Sequence, residues 1–278
     1  MRFSSSRTAT GCTLALLCIF APALPQDKAV SFFPGGVNFV PLRANHEEAR
    51  VGLLQELGNS NIHVQIGNAL DFVTWVWGTD TLGIGADFFA YALAATFGEY
   101  RFKIDAADGF FGIHMSYNHN PRWSARFRVL HYSAHLVDGR FDTDHSVWTQ
   151  DRLPFPFSRN FGECTVAFRP SPLSPHRFYA GFGLSVFNRP RAIRAFTSHW
   201  GIELAVPSNP HWYCAYHGSL LGIPTYVVSN TLESGMKLGN WNGKGLRIYL
   251  AHFGGLAWYG QYYDERRDYF GAGIALDY

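Results

Sequence analysis

The last eleven residues alternate strictly between apolar and small or polar side chains. They read D-Y-F-G-A-G-I-A-L-D-Y, and from Phe270 to Tyr278 every second residue is apolar. Because successive side chains of a strand point to opposite faces, this stretch predicts a strand with one apolar face that ends on an aromatic. Terminal residues of soluble domains usually fray, whereas the last strand of a transmembrane barrel pairs with the first. The pattern favours a barrel; an edge strand of a soluble β-domain is the alternative.

The composition also fits a membrane barrel. Charged residues make up 16% of the 278-residue chain, against about 25% in an average soluble domain. No run of about 20 apolar residues could cross a bilayer as a helix. The formal charge of +2 is too small to suggest a nucleic-acid partner. We therefore predict an all-β fold, a transmembrane antiparallel β-barrel of about 12 strands, within a range of roughly 10 to 14.

The N-terminal residues have the features of an export signal. Arg2 and Arg7 precede the apolar run Leu14 to Phe20, and Ala21-Pro22-Ala23 offers a cleavage site. The sequence thus predicts a signal peptide (1–23), an irregular periplasmic N-terminal segment (24–48) and an outer-membrane barrel (49–278) in a Gram-negative-type bacterium. The terminal strand resembles the recognition signal of bacterial outer-membrane barrels, which implies the barrel assembly machinery as a partner.

Alternating runs separated by turn signals place the individual strands. The predicted strands are 49–57, 61–72, 82–97, 109–119, 123–136, 161–170, 176–188, 194–205, 211–221, 225–238, 245–254 and 267–278. Short turns at 120–122, 171–175, 206–210 and 240–244 would lie at one end of the barrel, and the longest connection, 137–160, at the other. This distribution is typical of outer-membrane barrels.

The inner face of the predicted barrel carries Gly, Ser, Thr, His and Asn with occasional charges. We expect a hydrogen-bonded network in the lumen that contains Arg126, Arg128, Glu233, Lys237 and Arg247. His199, Glu203, His211 and His217 lack the tight spacing of a metal site, so we expect no metal and no cofactor. We expect Trp75, Trp77, Trp200, Trp212, Trp241 and Trp258 to form interfacial girdles. Cys164 and Cys214 are expected to be unpaired thiols on the outer face.

The fifth predicted strand carries an unusual polar group. Trp123, Phe127 and Val129 share one face, and the same parity places His131, Ser133 and His135 outward. Polar groups that meet lipid without partners are costly. A β-bulge could turn them inward, the strand could already have left the hydrocarbon layer, or the group could act on lipid headgroups.

The third explanation has a chemical mechanism. A serine hydroxyl becomes a nucleophile when an adjacent base takes its proton and an acid orients that base. Ser133 would be the nucleophile, His131 the base, and Asp138, Asp142 or Asp144 the acid, with Asp138 first. The H-x-S arrangement is similar to the catalytic pair of outer-membrane lipid A 3-O-deacylases, which implies ester hydrolysis at the outer leaflet. In those enzymes the pair lies near the C-terminus and precedes Asn, whereas here Ala134 follows.

A broader resemblance covers much of the chain. The segments N-F-V-P-L-R-A-N at 38–45, E-A-R-V-G at 48–52, Gly67 to Trp75 and H-Y-S-A-H-L-V-D-G at 131–139 resemble a family of exported barrels known only as domain of unknown function 1207. This resemblance implies an outer-membrane location and supplies no activity.

Two functions follow from the sequence. The first is a barrel of unassigned activity, either a narrow, porin-like pore or a structural element. The alternative is a lipid A deacylase with Ser133, His131 and Asp138 as catalytic residues and with His135, Arg126 and Arg128 as candidate binding residues. Outer-membrane lipid or lipopolysaccharide is the expected partner of either.

Overall fold

A computed structural model describes residues 28–97, 101–142, 144–149 and 152–277. The predicted signal peptide and Tyr278 lie outside the described residues. The strands are β1 (Lys28–Phe32), β2 (Val51–Glu56), β3 (Asn61–Trp77), β4 (Asp80–Phe97), β5 (Arg101–His119), β6 (Trp123–Leu136), β7 (Phe141–Asp142), β8 (Val147–Trp148), β9 (Phe157–Phe168), β10 (Arg177–Arg189), β11 (Phe196–Ala205), β12 (His211–Ile223), β13 (Thr225–Gly239), β14 (Gly245–Leu256) and β15 (Arg266–Asp277). Two short 3-10 helices, Asp138–Arg140 and Gly260–Tyr262, lie in connections. Among the described residues no helix has the length and apolar character that a membrane span needs.

Twelve of these strands form a closed antiparallel barrel. Pairing runs in chain order from β2 to β6, continues from β6 to β9 and then from β9 to β15. The last strand returns to the first, since Ala275 of β15 lies opposite Gly52 of β2. Closure leaves the barrel sheet without an open edge along this seam. The predicted fold class is confirmed, and the terminal strand closes the sheet.

Each predicted strand has a counterpart, and the largest boundary errors lie beside bulges. Strand β5 begins at Arg101 rather than at residue 109, and its register against β4 shifts between Leu93 and Ala94. Strand β3 continues to Trp77 rather than ending at 72, past a register shift after Asp71. A bulge inserts one residue, so the side chains beyond it point to the opposite faces. The alternation in the sequence is interrupted at the bulge, although the strand continues.

The two faces of the wall differ as the alternation predicts. Phe88, Ile113 and Leu250 point outward and are 72%, 62% and 61% exposed. The inner face carries charges with almost no exposure, such as Arg128 and Glu233. The outside of the barrel is therefore apolar, and its interior combines buried charges with a cluster of apolar residues such as Phe89 and Leu130.

The connections distinguish the two ends of the barrel. The turns around 78–79, 120–122, 206–210 and 240–244 lie at the end that carries Asp277, which we call the C-terminal end. The long connections 137–156 and 257–265 lie at the opposite end, the loop end. As predicted, the turns 120–122, 171–175, 206–210 and 240–244 share one end and the longest connection lies at the other, but the loop end also has the short turns 57–60 and 224.

The expected tryptophan girdle is wrong for Trp241 and Trp258. Trp241 is 6% exposed, and its indole N–H donates to the Pro175 carbonyl at 2.9 Å. Trp258 is half-buried and stacks on the His63 ring at 4.9 Å. Both lie in connections that fold over the barrel ends, where periodicity gives no direction. Trp212, on a strand, does point outward, with 58% exposure.

Cys164 and Cys214 are free, as expected. Cys164 on β9 is half-buried and Cys214 on β12 is exposed. Both alternate with inward residues, so they share the outer face with the apolar side chains.

The β3–β4 pair supplies a test of this register. Gly67 lies opposite Phe89, and a β-carbon on Gly67 would come within 2.2 Å of the Phe89 Cβ. Gly67→Ala should therefore lower the free energy of unfolding of the barrel by about 1–3 kcal/mol, the usual cost of overpacking. The midpoint of urea unfolding would measure it.

Gly109→Ala is the control, because a β-carbon on this β5 residue would meet only the Ser133 hydroxyl, at an ordinary 3.7 Å. Equal midpoints for the two variants would show that Gly67 and Phe89 do not approach each other in this way.

Candidate functional site in the barrel lumen

A segment of the chain itself fills much of the lumen. We call residues 36–50 the plug, because none of them is exposed to solvent. After β1, which pairs with the end of β3, the Phe33 N–H donates to the Phe72 carbonyl at 2.9 Å, and the Gly36 carbonyl accepts from Asp71 N–H at 3.2 Å. The chain then runs inside the barrel until β2 begins at Val51. The region predicted as an irregular lead-in thus contains a strand, and its continuation lies in the lumen.

Local sequence explains why the plug is not another strand. Pro34 and Pro41 each lack the backbone N–H that a strand donates to its neighbour in a sheet. Gly35, just before the plug, adopts a φ of +79°, a conformation that favours glycine. A backbone without a ladder must find other partners for its buried polar groups. Side chains of the barrel wall provide them.

The first anchor of the plug is Asn38. Its backbone N–H donates to the Asp71 carboxylate on β3 at 2.7 Å, and its side-chain amide donates to the Ser116 hydroxyl on β5 at 3.2 Å. The Asn118 amide in turn donates to the Asn38 side-chain oxygen at 2.6 Å. Asn38 therefore joins the plug to two wall strands.

The second anchor is Arg43. Its guanidinium lies 2.5 Å from the Glu203 carboxylate on β11, and its backbone N–H donates to the same carboxylate at 2.9 Å. Arg177 on β10 also pairs with Glu203, at 2.6 Å. The Arg43 guanidinium packs over the Trp241 ring, 3.6 Å from its centre. Planar stacking and a forked pair are contacts that arginine makes better than lysine.

The third anchor is Glu48, which contacts strands of the wall other than those that hold Asn38 and Arg43. Arg126 on β6 donates two hydrogen bonds to the two Glu48 oxygens, at 2.8 and 2.5 Å. Arg128 pairs mainly with Glu163 on β9 at 2.8 Å and lies 3.8 Å from Glu48. Burial alone would raise the pKa of Glu48, but Arg126 and Arg128 outweigh it and hold that pKa below its ordinary value. Glu48 is therefore ionised and anchored by a forked ion pair.

A neutral histidine completes the set. The His46 ring bonds with the Thr231 hydroxyl on β13 at 2.9 Å and stacks on Trp258 at 3.8 Å. Burial, reinforced by the Arg50 charge, lowers the pKa of His46 well below its ordinary value. The plug thus reaches β3, β5, β6, β11 and β13, on all sides of the barrel.

The wall charges that the plug does not use pair with one another. Arg247 lies 2.5 Å from Glu233 and 3.0 Å from Asp277, and Lys237 lies 2.6 Å from Asp277. The residues of the expected lumen network are all paired, but among the described residues they form two groups, because Arg126 and Arg128 pair with Glu48 and Glu163 instead. Among the described residues, no three His, Cys, Asp or Glu side chains are grouped so as to hold a metal ion.

Two cavities flank the plug. The larger, of about 500 Å³, lies toward the C-terminal end between plug residues, β3, β15 and the 240–244 turn. The smaller, of about 100 Å³, lies toward the loop end beside His46 and is lined by His199 and His217. The plug therefore stands between two spaces of the same lumen.

The sequence-predicted polar group on β6 lies on the outer face. The β5–β6 register is continuous from His119 opposite Trp123 to Ala106 opposite Leu136, so the proposed bulge is absent. His131 and Ser133 are half-buried, and His135 is exposed. Among the three explanations, inward rotation is excluded.

The structure brings only part of this group together. The His131 ring bonds with the Asn160 side-chain oxygen on β9 at 2.6 Å and packs against Phe111. In the described residues no hydrogen bond joins His131 to Ser133 or to Asp138. Asp138 begins a 3-10 helix in the long loop and is exposed.

The other named residues are also separated. Asp142 bonds with His145 at 2.7 Å. The candidate binding residues lie on two faces of β6, because His135 is outside whereas Arg126 and Arg128 line the lumen. No single surface carries all three.

Sequence reasoning missed the plug. Its signal was the group of charged residues Arg43, Glu48 and Arg50 within a segment that has no strand periodicity. An exposed loop carries similar residues, so the charges alone did not reveal their burial.

Together these features define a closed twelve-strand barrel whose lumen is occupied by a segment of the same chain. The chain belongs to the family described as "Protein of unknown function (DUF1207)", whose model matches residues 55–278. The family resemblance seen in the sequence is confirmed. The match covers almost all of the barrel and begins after the plug. Neither the curated proteins nor the solved structures contain a match to the chain.

The Glu48 anchor leads to a stability prediction. Glu48→Gln removes the main carboxylate partner of buried Arg126, and breaking a buried pair in this way costs about 3–5 kcal/mol. We expect a loss of this size in the free energy of unfolding of the reconstituted barrel, measured by urea titration.

Asp264→Asn provides a matched change from acid to amide. Asp264 pairs with Arg152 at 2.9 Å, but its side chain is 49% exposed, and such pairs contribute less than about 1 kcal/mol. If both variants lost the same small amount, Glu48 would not be a buried anchor.

Proposed function

We propose that this protein is an integral outer-membrane β-barrel of a Gram-negative-type bacterium that forms a narrow pore held shut by its own plug. The apolar outer face supports the membrane location, because exposed Phe88, Ile113 and Leu250 would form a costly surface in water. The outward Phe270, Ile274 and Leu276 of β15 fit a terminal signal for the barrel assembly machinery. Lipopolysaccharide would then surround the outer half of the barrel.

One observation supports the proposal that the plug closes the pore. The plug charges Arg43 and Glu48 are paired with wall charges from different parts of the barrel, Glu203 on β11 and Arg126 on β6. A segment that bridges the lumen in this way blocks the route along its axis. Solute passage would require the plug to move.

The chemistry of the contacts favours a movable plug over a permanent core. Buried ion pairs add little net stability compared with apolar packing, and water can replace charged partners when they separate. Of the plug side chains, Phe39 and Leu42 are the large apolar ones that are fully buried. The flanking strands β1 and β2 could stay paired while residues 33–50 move.

Conductance in planar bilayers tests this proposal. Purified wild-type protein should be closed for most of the time. The double variant Arg43→Gln/Glu48→Gln loses both charged anchors, so the plug should leave the lumen more often and produce discrete openings. The measurement is the open fraction of single barrels at fixed voltage and salt.

The double variant Arg152→Gln/Asp264→Asn removes an ion pair outside the lumen and should leave the open fraction unchanged. A folded Arg43→Gln/Glu48→Gln barrel that stays closed would indicate a structural element instead. Steady conductance of the wild type would refute closure by the plug. Recovery of the chain in the soluble fraction would refute the membrane location.

A lipid A deacylase is the second candidate. It is favoured by the position of His131 and Ser133 on the outer face, in the half of β6 nearer the loop end. There, an ester of a surrounding lipid could reach the Ser133 hydroxyl. The His131 ring would have to exchange Asn160 for Ser133 to act as its base.

Lipid A mass spectra separate this candidate from the pore. If the protein hydrolyses lipid A at this face, lipid A from cells with Ser133→Ala should keep one acyl chain that wild-type cells remove. Ser158→Ala changes the residue opposite Ser133 on the same face and should give the wild-type spectrum. Identical spectra from all three strains would remove the deacylase.

A further inference from the structure

The larger cavity has the dimensions and lining of a ligand site. Its volume of about 500 Å³ falls within the range of small-molecule pockets, roughly 300–1,000 Å³. Val40 and Leu42 of the plug and Ala69 of β3 form its apolar lining, whereas Leu70 of β3 and Leu276 of β15, which point outward, border it at the seam of the barrel. Exposed Lys244, in the turn before β14, places the mouth at the C-terminal end.

Cations dominate the charges of this cavity. Five cationic side chains line it, against two carboxylates. The cations are Arg43, Arg50, Lys237, Lys244 and Arg247, and the carboxylates are Asp71 and Asp277. Asp71 already bonds with His114, and Asp277 already bridges Lys237 and Arg247. Neither carboxylate is left to neutralise another cation.

Arg50 is a buried cation that has no counterion among the described residues. It is 6% exposed, and its guanidinium donates to the carbonyl oxygens of Leu42, at 3.3 Å, and of Asn45. No carboxylate among the described residues lies within ion-pair distance of it. The Tyr249 hydroxyl also hydrogen-bonds with Arg50. A buried charge held by neutral groups alone is costly, so an anion in the cavity would be stabilised there.

Lys244 adds a second charge at the rim. Within the part of the chain that the structure describes, its ammonium group has no hydrogen bond or ion pair. It would attract an anion toward the mouth, in the manner of charged clefts that concentrate their ligands.

We propose that this cavity binds a small organic carboxylate whose acid group pairs with Arg50 and whose apolar body contacts Val40, Leu42 and Ala69. Arginine presents parallel N–H groups that match a carboxylate, and the apolar walls exclude a bare inorganic anion as the best ligand. The site does not depend on conduction by the barrel.

Calorimetric titration of the folded full-length barrel in detergent tests the site. Phenylacetate should bind saturably, with one site per chain. Phenylacetamide has the same shape without the charge and should bind at least about tenfold more weakly, since hydrogen bonds to charged groups contribute about 1.5–3 kcal/mol. Inorganic phosphate should also bind more weakly, because it has no apolar body.

Four variants assign the binding to this cavity. Arg50→Gln should weaken phenylacetate binding about tenfold, and Arg50→Lys should restore part of it. Lys244→Gln, at the rim, should weaken binding about two- to fivefold. Arg266→Gln removes the same charge at the loop end and should leave the affinity unchanged.

Because Arg50 also holds plug carbonyls, Lys244→Gln and Arg50→Lys keep the test decisive if Arg50→Gln does not fold. Equal affinity for acid and amide would overturn the proposal, as would phosphate binding as tight as phenylacetate. The absence of saturable binding to the folded wild type would overturn it too, as would unchanged affinity in the folded variants.

Discussion

A barrel of twelve strands encloses more space than its own wall fills, and filling that space is the constraint on which this structure depends. Barrels of about eight strands close on their side chains, whereas those of about sixteen leave a water channel. This barrel lies between these sizes, and it supplies residues 36–50 as filler. The filler has no ladder partner, so wall side chains must satisfy its backbone. That requirement explains the polar part of the inner face.

Charge pairing gives the plug one position. Glu48 fits between Arg126 and Arg128, and Arg43 fits beside Arg177 around Glu203. A shift of the plug by one residue would leave buried charges without partners, at a cost of several kcal/mol. Apolar filler would tolerate such a shift more easily. The charges therefore specify the position of the plug more than they stabilise it. This property suits the proposed gating, in which the plug would return to the same place after each opening.

The sequence predicted the features that depend on the two-residue alternation of a strand. It missed the contacts that depend on how neighbouring strands align with one another. Strand β6, Trp123–Leu136, was found without error because its alternation is unbroken. The inward direction of Lys237 and Arg247 followed from the same rule, but their shared partner Asp277 did not, since that contact depends on how β13, β14 and β15 align. The plug has no period, so its place could not be predicted. Trp241 was misplaced for the same reason.

Polar residues on the outer face of the barrel have hydrogen-bond partners on neighbouring strands. His131 bonds with Asn160 across β6 and β9, and His252 bonds with Asp268 across β14 and β15. Each pair lies in the half of its strands nearer the loop end, and apolar residues of the same outer face lie between it and the C-terminal end. Cross-strand partners satisfy these groups without any ligand, as expected where a strand leaves an apolar layer. The His131 ring therefore needs no ligand as a partner, and catalysis would require this ring to exchange Asn160 for Ser133.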